Sequence, residues 1–520
     1  MKSTEPVGGD AANLHAQGSV VASMTALSRV SGFARDIVLS HFFGAAGIAD
    51  AFFVAFRVPN FFRRLFAEGA FAQAFVPVLA EYRGADRRAL DRFVGAVTGN
   101  LLLVLTLVSV AGVLGAAGLA VLFAPGFVGD DERLPVATAM LRITFPYLAF
   151  ISLTAYAGAL LNSFHRYAVP AFTPVLLNAV LIAAALVAAP AFEQPVMALA
   201  WGVLAAGAVQ LLFQFPSLAR LHLLQPPRVD WGDPGVRKVR RLFLPAAFAA
   251  SVNQINGLIG GILASLLATG SISWLYYADR LMELPIGLVA VALGTVLLPN
   301  LSRLHADDDG PGFAATLDWG LRMGLLLGVP AATALFVLAV PLVATIFQHG
   351  AFSARDTAMA AAALQAFAVG LPALVLVKIA APGFFARQDT RTPFHYAAAS
   401  VAVNVVTALA LFWWLHHVGL ALATSVAAIV NAALLLRGLL RRGDYAPTRA
   451  LWGTLAAAVA ASAGMAALLI WAVPDGERWV TADLLSRIRM LAAAVAGGGL
   501  AYLAAAMALG VRPRQLRHRV

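Results

Sequence analysis

The sequence predicts an all-α polytopic membrane protein, with about fourteen transmembrane helices in two six-helix lobes plus two C-terminal helices around a central cationic cavity. Three observations carry that expectation. Hydrophobic residues make up 61% of the 520 and charged residues only 12%, about half the charged share of an ordinary soluble domain. Runs of about 20 apolar residues, each long enough to cross a bilayer as a helix, recur from end to end. Lys and Arg fall almost wholly on one set of the loops between those runs.

The apolar segments run approximately over 18–43, 49–81, 92–123, 136–163, 169–190, 195–219, 241–268, 272–302, 313–346, 357–386, 393–415, 418–437, 450–472 and 484–510. Prolines and glycines mark the joints, among them Pro125–Gly126, Pro190, Pro226–Pro227, Gly310–Pro311 and Pro474. Residues 1–17 are polar, lack the short apolar core of a secretory signal, and read as a disordered tail. The two lobes are expected over 18–222 and 223–440, and the two additional helices with a basic tail over 441–520.

Basic residues are retained on the cytoplasmic side. When the N-terminus, the C-terminus and every even-to-odd loop are placed together, that side holds 23 Lys and Arg, against Arg133, Arg355 and Arg478 opposite. Both termini are therefore expected in the cytoplasm. The formal charge of +11 is mainly this topological bias. Scattered over short loops, it argues against nucleic-acid binding. There are no cysteines, which removes disulfides, thiolate metal sites and cysteine nucleophiles. The ten histidines show no metal spacing, and no phosphate-binding Gly-x-x-x-x-Gly-Lys-Ser/Thr loop occurs. No cofactor, metal or catalytic residue is expected. Energy for any transport would come from an ion gradient, the membrane potential or consumption of product on the far side.

Landmarks in the first half recur in the second at offsets of 222 to 226: Pro59 with Pro285, Pro77 with Pro299, Gly126 with Gly350, Pro146 with Pro372, Pro170 with Pro393, and Asn178 with Asn404. Six ordered matches point to a parallel repeat of six helices, a common transporter plan with the substrate between the repeats.

Ionisable residues inside the spans give the functional signal. The first span carries Arg29, Arg35 and Asp36. The second carries Asp50, Arg57, Arg63, Arg64 and Glu68, and the eighth Asp279, Arg280 and Glu283. Each Arg or Asp at mid-membrane costs about 2.5–3.5 kcal/mol on insertion scales, so these helices are expected to line water or pair their charges. Ser28 and Arg35, seven apart, share a helix face, with Arg29 beside Ser28. Arg64 and Glu68 are i,i+4 neighbours, Arg280 and Glu283 are i,i+3, and Asp279 and Glu283 are i,i+4. Arg29, Arg35, Arg63 and Arg280 keep donors for a ligand, and the planar guanidinium fork suits phosphate oxygens, so a pyrophosphate-like anion fits. Arg57 and Arg64 are also close enough to a helix end to snorkel. Arg142 and Lys378 read as snorkelling or structural, and Gly257 with Gly261 as a helix-packing pair.

Four stretches carry a resemblance: Leu27 to Arg35 (LSRVSGFAR), Asp50 to Pro59 (DAFFVAFRVP), Asn60 to Tyr82 (NFFRRLFAEGAFAQAFVPVLAEY) and Ser271 to Pro285 (SISWLYYADRLMELP). The chain resembles the lipid II flippase family (MurJ/MviN) of the multidrug/oligosaccharidyl-lipid/polysaccharide exporter superfamily. The resemblance implies a fourteen-helix, two-lobed, non-enzymatic transporter of the bacterial cytoplasmic membrane. Its substrate would be the undecaprenyl-pyrophosphate-linked disaccharide-pentapeptide precursor of peptidoglycan, moved from inner to outer leaflet, with cell-wall synthesis proteins as prospective partners. Arg29, Arg35, Arg63 and Arg280 match the family's cavity arginines. Asp50, Ser273, Asp279 and Glu283 match further functionally important positions, and the last two helices match those that form a groove for the lipid tail. Charge alone gives only an anionic ligand.

Other readings leave different marks. A related flippase would carry another polyprenyl-linked oligosaccharide. An organic-cation antiporter would show unpaired acids in its cavity, and a membrane glycosyltransferase would need acidic catalytic residues and large outer loops.

Overall fold

In the computed structural model the described residues are 8–66, 70–84 and 86–511. They are all-helical and contain no strand. In order the helices are α1 (Gly8–Phe43), α2 (Gly47–Phe66), α3 (Ala70–Arg83), α4 (Arg87–Leu114), α5 (Ala116–Phe123), α6 (Arg133–Thr144), α7 (Tyr147–Ser163), α8 (Ala168–Ala183) and α9 (Met197–Arg220). There follow α10 (Pro234–Ser265), α11 (Ser271–Ala306), α12 (Gly310–Val337), α13 (Ala339–Ile346), α14 (Ala354–Phe385), α15 (Arg391–Arg441), α16 (Arg449–Ala472), α17 (Gly476–Thr481) and α18 (Leu484–Ala508). α1 is helical from Gly8, inside the segment expected as a tail. Ala11, Ala12, Leu14, Ala16 and Gln17 include strong helix formers that let the helix run outward beyond its apolar part.

Local sequence explains several helix starts. Asp233 accepts from the amides of Gly235 and Val236 with Pro234 at the first position of α10. Ser353 and Asp356 form a reciprocal capping box at α14. Thr448 and Asp483 cap α16 and α18. Each satisfies backbone donors that the first helical turn leaves open.

Nine of the described helical segments are long and apolar enough to cross a membrane. One of them, α15, holds two crossings. If its 51 residues were one straight helix, Tyr396 and Gly438 would lie roughly 63 Å apart. Instead a Cβ on Gly438 would meet the Tyr396 ring at 3.0 Å, and Arg442 donates to Thr392 at 2.9 Å. The chain reverses at His416 (φ 49°, ψ −129°), in the loop expected between the eleventh and twelfth spans. The described parts of the remaining expected spans fall on α1, α2, α3, α10 and α11.

Packing divides the chain into two compact units, residues 1–269 and 270–520. α10 packs on α3 and α2 and so lies in the first unit; the lobe boundary expected from the sequence, at 222/223, falls at the start of the polar loop before it. The first unit's core includes Phe75, Leu79, Phe93, Tyr156 and Leu161, all nearly inaccessible. Phe93 is stacked between Phe75, 5.8 Å away, and Tyr82, 4.3 Å away. In the second unit Tyr277 packs on Phe347 and Phe352 at 4.9 and 5.4 Å. There α18 is fastened to α12 by the Tyr502 hydroxyl, which donates to the Leu326 carbonyl at 2.8 Å. Large apolar side chains such as Leu107, Val187, Val406, Ile470 and Leu500 are exposed, as lipid-facing positions are. Trp413, Trp414 and Trp471 stand exposed near helix ends, where indole rings favour the membrane interface.

Candidate functional site

In the first unit the candidate residues centre on α1 where it packs on α8. Arg35 is 4% exposed and Asp36 1%. The Arg35 guanidinium donates from Nε and Nη2 to Asp36 Oδ1 at 3.0 and 2.6 Å, and from Nη1 to Asn178 Oδ1 at 3.1 Å. Asn178 in turn donates through Nδ2 to the Ser28 carbonyl at 3.2 Å and to Ser31 Oγ at 3.0 Å. A buried cation beside a buried anion, each also hydrogen-bonded, is the arrangement that makes charge tolerable at membrane depth. Gly32 faces the same amide, and a Cβ there would make ordinary contact with Asn178 Nδ2 at 3.4 Å.

Arg29, six residues before Arg35, lies roughly 120° around the helix from it and is exposed. The structure therefore separates two arginines that the sequence reading grouped. One is committed to Asp36 and Asn178, and the other is accessible. Ser28, half-buried, borders a cavity of about 380 Å³ together with Thr25, Asn162, Tyr167 and Pro174.

On α2, Asp50 is 1% exposed. The Arg57 guanidinium lies against the bare Cα of Gly261 on α10, in the space a Cβ would take, while Gly257 faces open space. The expected glycine pair is thus a packing feature at Gly261 only, and its partner is a charged side chain. The backbone of α2 carries Arg63 and Arg64, whose side chains are outside the described set. Glu68, and with it the expected Arg64–Glu68 pair, lies outside the described residues.

In the second unit the site residues lie on α11. Arg280 Nη1 donates to Glu283 Oε2 at 2.8 Å, the pair expected from i,i+3 spacing. Tyr276, one turn earlier, holds the other edge. Its hydroxyl accepts from Arg280 Nε and Nη2 at 3.4 and 3.3 Å, and its ring lies 5.2 Å below the guanidinium carbon. The Arg280 side chain remains 33% exposed and that of Glu283 53%, so this cation is oriented and still reachable. Asp279 is half-buried and Ser273 fully buried. Below them Trp274 donates to Asp356 at 2.8 Å and packs on the His417 ring at 5.0 Å, which fixes the start of α11 in the second unit. Sequence periodicity did not single out Asn178 or Tyr276 as partners of these arginines. Tyr276 was legible as the i−4 neighbour of Arg280. Nothing local to Asn178 marks it, because its partners lie 143 to 150 residues away.

These features define a polytopic helical transporter with arginines and acids held inside its membrane-spanning helices. The fold is similar to those of solved membrane transporters. One is an inward-facing multidrug resistance MATE family transporter of the MOP superfamily, at 15% identity and TM-score 0.65, covering 82% of this chain and 98% of that one.

The match to one family is much tighter. The family profile described as lipid II flippase MurJ matches residues 39–489. A solved lipid II flippase MurJ in an inward closed conformation aligns at 25% identity and TM-score 0.79, covering 94% of this chain and 98% of that one. A probable lipid II flippase MurJ of Vibrio cholerae serotype O1 is 44% identical, with 96% of this chain and 97% of that protein covered. The lipid II flippase MurJ of Burkholderia cenocepacia is 41% identical over 96% and 98%. This chain belongs to the lipid II flippase MurJ family.

Proposed function

We propose that this chain is a lipid II flippase, which moves the undecaprenyl-pyrophosphate-linked peptidoglycan precursor from the inner to the outer leaflet of the cytoplasmic membrane without altering it chemically. The observation that carries this reading is a relative at 44% identity, named a probable lipid II flippase, whose match runs through nearly the whole of both chains. The side chains support it. A pyrophosphate needs charge-assisted donors, and the helices supply guanidinium groups where a soluble core would have none.

In this reading Arg29, Arg63 and Arg280 serve the pyrophosphate, and Arg35 serves it by exchanging its bonds to Asp36 and Asn178 for the ligand. Ser28, Asp50, Arg64, Glu68, Ser273, Asp279 and Glu283 support them, and Glu283 and Tyr276 orient Arg280. Both termini lie in the cytoplasm, and proteins of cell-wall synthesis receive the product.

The test replaces each of the four arginines with Ala and with Lys, confirms membrane abundance, and measures both complementation and the leaflet distribution of lipid II. A charge-assisted hydrogen bond contributes about 1.5–3 kcal/mol, so each Ala variant should bind roughly tenfold to a hundredfold more weakly. Lys keeps the charge but not the fork, and should rescue only partly. Normal flipping by all four Ala variants defeats the site. Flipping of another polyprenyl-linked saccharide, with lipid II left in the inner leaflet, defeats the substrate.

A further inference from the structure

The first unit has a groove that none of the transport residues uses. It lies between α4 and α10, has a volume of about 270 Å³, and is walled by Leu101, Val104, Val108, Val239 and Phe243, with Trp231 and Arg240 also in its lining. Its lining is otherwise almost wholly apolar; Asn100 and Ser152 are the other polar residues. Along α4 it runs from Val97 to Val108, roughly 16 Å of helix. That is about half of a ~30 Å hydrocarbon core, the depth of a single leaflet. Leu103, Leu107, Leu242 and Leu244 on the same two helices are exposed apolar side chains, so the groove opens among hydrocarbon-facing groups.

The one charged residue among the described residues that line the groove is a cation. Arg240 lines the groove. Arg237, one turn earlier, is exposed and reaches back toward the Trp231–Gly232 corner, with Nη2 3.9 Å from where a Gly232 Cβ would be. Neighbouring acids are otherwise engaged. Asp230 accepts from the amides of Gly232 and Asp233 at 2.8 and 3.1 Å. Asp233 caps α10, and Glu81 pairs with Lys238. Trp231 is 41% exposed, an interfacial residue beside the cations.

The corner itself is built in. The segment before α10 lies along α4, with the Arg228 amide donating to the Gly95 carbonyl at 2.9 Å and Asn100 to the Asp230 carbonyl at 2.8 Å. Only glycine fits at position 99, because a Cβ there would overlap the Arg228 backbone.

We propose that this groove is a binding site for an anionic phospholipid of the leaflet on the α10 N-terminal side. One acyl chain lies between α4 and α10, and the phosphate meets Arg240 and Arg237. This is a lipid other than the transported substrate, held on the flank of the first unit. A cation near an anionic lipid surface contributes about 1 kcal/mol, so each of the two arginines should favour anionic over zwitterionic lipid by roughly fivefold.

The test uses the full-length protein in phosphatidylcholine vesicles, with trace phosphatidylglycerol or phosphatidylcholine carrying a photoactivatable group at mid-chain. Labelled peptides are then identified by mass spectrometry. Phosphatidylglycerol should label 97–108 and 236–243 in strong preference to phosphatidylcholine. The exposed substitution Arg240→Ala should reduce that preference about fivefold, and Arg240→Glu should abolish it. Val104→Trp, which fills the groove, should remove labelling by both probes. Equal labelling by the two lipids, or a preference unchanged in Arg240→Glu, overturns the proposal. Stronger labelling of the same peptides by a polyprenyl phosphate probe also overturns it. Translocation is not the readout, so failure here leaves the flippase reading standing.

Discussion

Arg35 offers the sharpest test of how charge is accommodated in α1. Replacing Arg35 with Ala removes the cation 2.6 Å from Asp36, which is itself 1% exposed. Breaking a buried pair from one side costs about 3–5 kcal/mol, because the remaining charge keeps its desolvation penalty and loses its counter-charge. Replacing both partners with apolar residues of similar volume removes the penalty and the attraction together, and is often near neutral. Arg35→Ala and Asp36→Ala should each sharply lower the fraction of protein that survives heating in detergent. The double variant Arg35→Met/Asp36→Leu should recover most of it, so that its cost falls far below the sum of the two single losses. Lipid II translocation by the recovered double variant is the second readout. If Arg35 also serves substrate, that protein is folded and inactive. Heat survival of Arg35→Ala equal to the unmodified chain would refute the buried-pair reasoning, as would a double variant no better than its worse single.

Three further outcomes follow from the same geometry. Tyr276→Phe keeps the ring under Arg280 and loses only two long hydrogen bonds, so translocation should fall by less than about threefold. Tyr276→Leu also loses the cation–π contact, about 0.5–1 kcal/mol, and should fall further; equal loss in the two variants would remove Tyr276 from the role assigned to it. Gly261→Leu should destabilise the chain by driving the Arg57 side chain off α10, and should do so much less in an Arg57→Ala background; independent effects in a thermal cycle would contradict that contact. Reporter fusions after Arg88, Arg240 and Arg442 should report cytoplasm and those after Asp130 and Asp475 periplasm, and opposite results at two sites would reverse the orientation.

Much of the fold was legible because the bilayer simplifies the problem. An apolar run of span length has few alternatives to a helix, since each backbone polar group needs an internal partner. The reversal in α15 was readable from a two-residue break between apolar runs, and the structure places it at His416. Packing was less legible than crossing. α10 begins after the polar loop that closes the first repeat in the sequence, yet it packs on α2 and α3. Its contacts depend on Gly261 meeting Arg57, and a glycine in a long Ala-rich helix announces no particular neighbour.

The site divides along a similar line, between contacts made within one helix and contacts made across two. The Arg280–Glu283 pair follows from helical periodicity, and the structure shows it at 2.8 Å. The opposite edge of Arg280 was equally local, because Tyr276 is i−4. Charge pairing by spacing points an arginine to acids, and so does not single out an aromatic ring with a hydroxyl. Arg35 is the contrary case. Its spacing from Ser28 correctly put the two on one face, but the same periodicity could not tell a face that lines water from one that meets α8. The residue that decides is Asn178, whose amide accepts from Arg35 and donates to α1 at two points. An Asn among apolar residues in the fifth span had a physical reason to be read as more than a repeat landmark. An amide in a membrane helix needs polar partners on another helix, and α1 carried Arg29, Arg35 and Asp36. Intramembrane amides should therefore be matched against intramembrane charges before those charges are assigned to a ligand. Applied here, that rule separates the clamped Arg35 from the accessible Arg29.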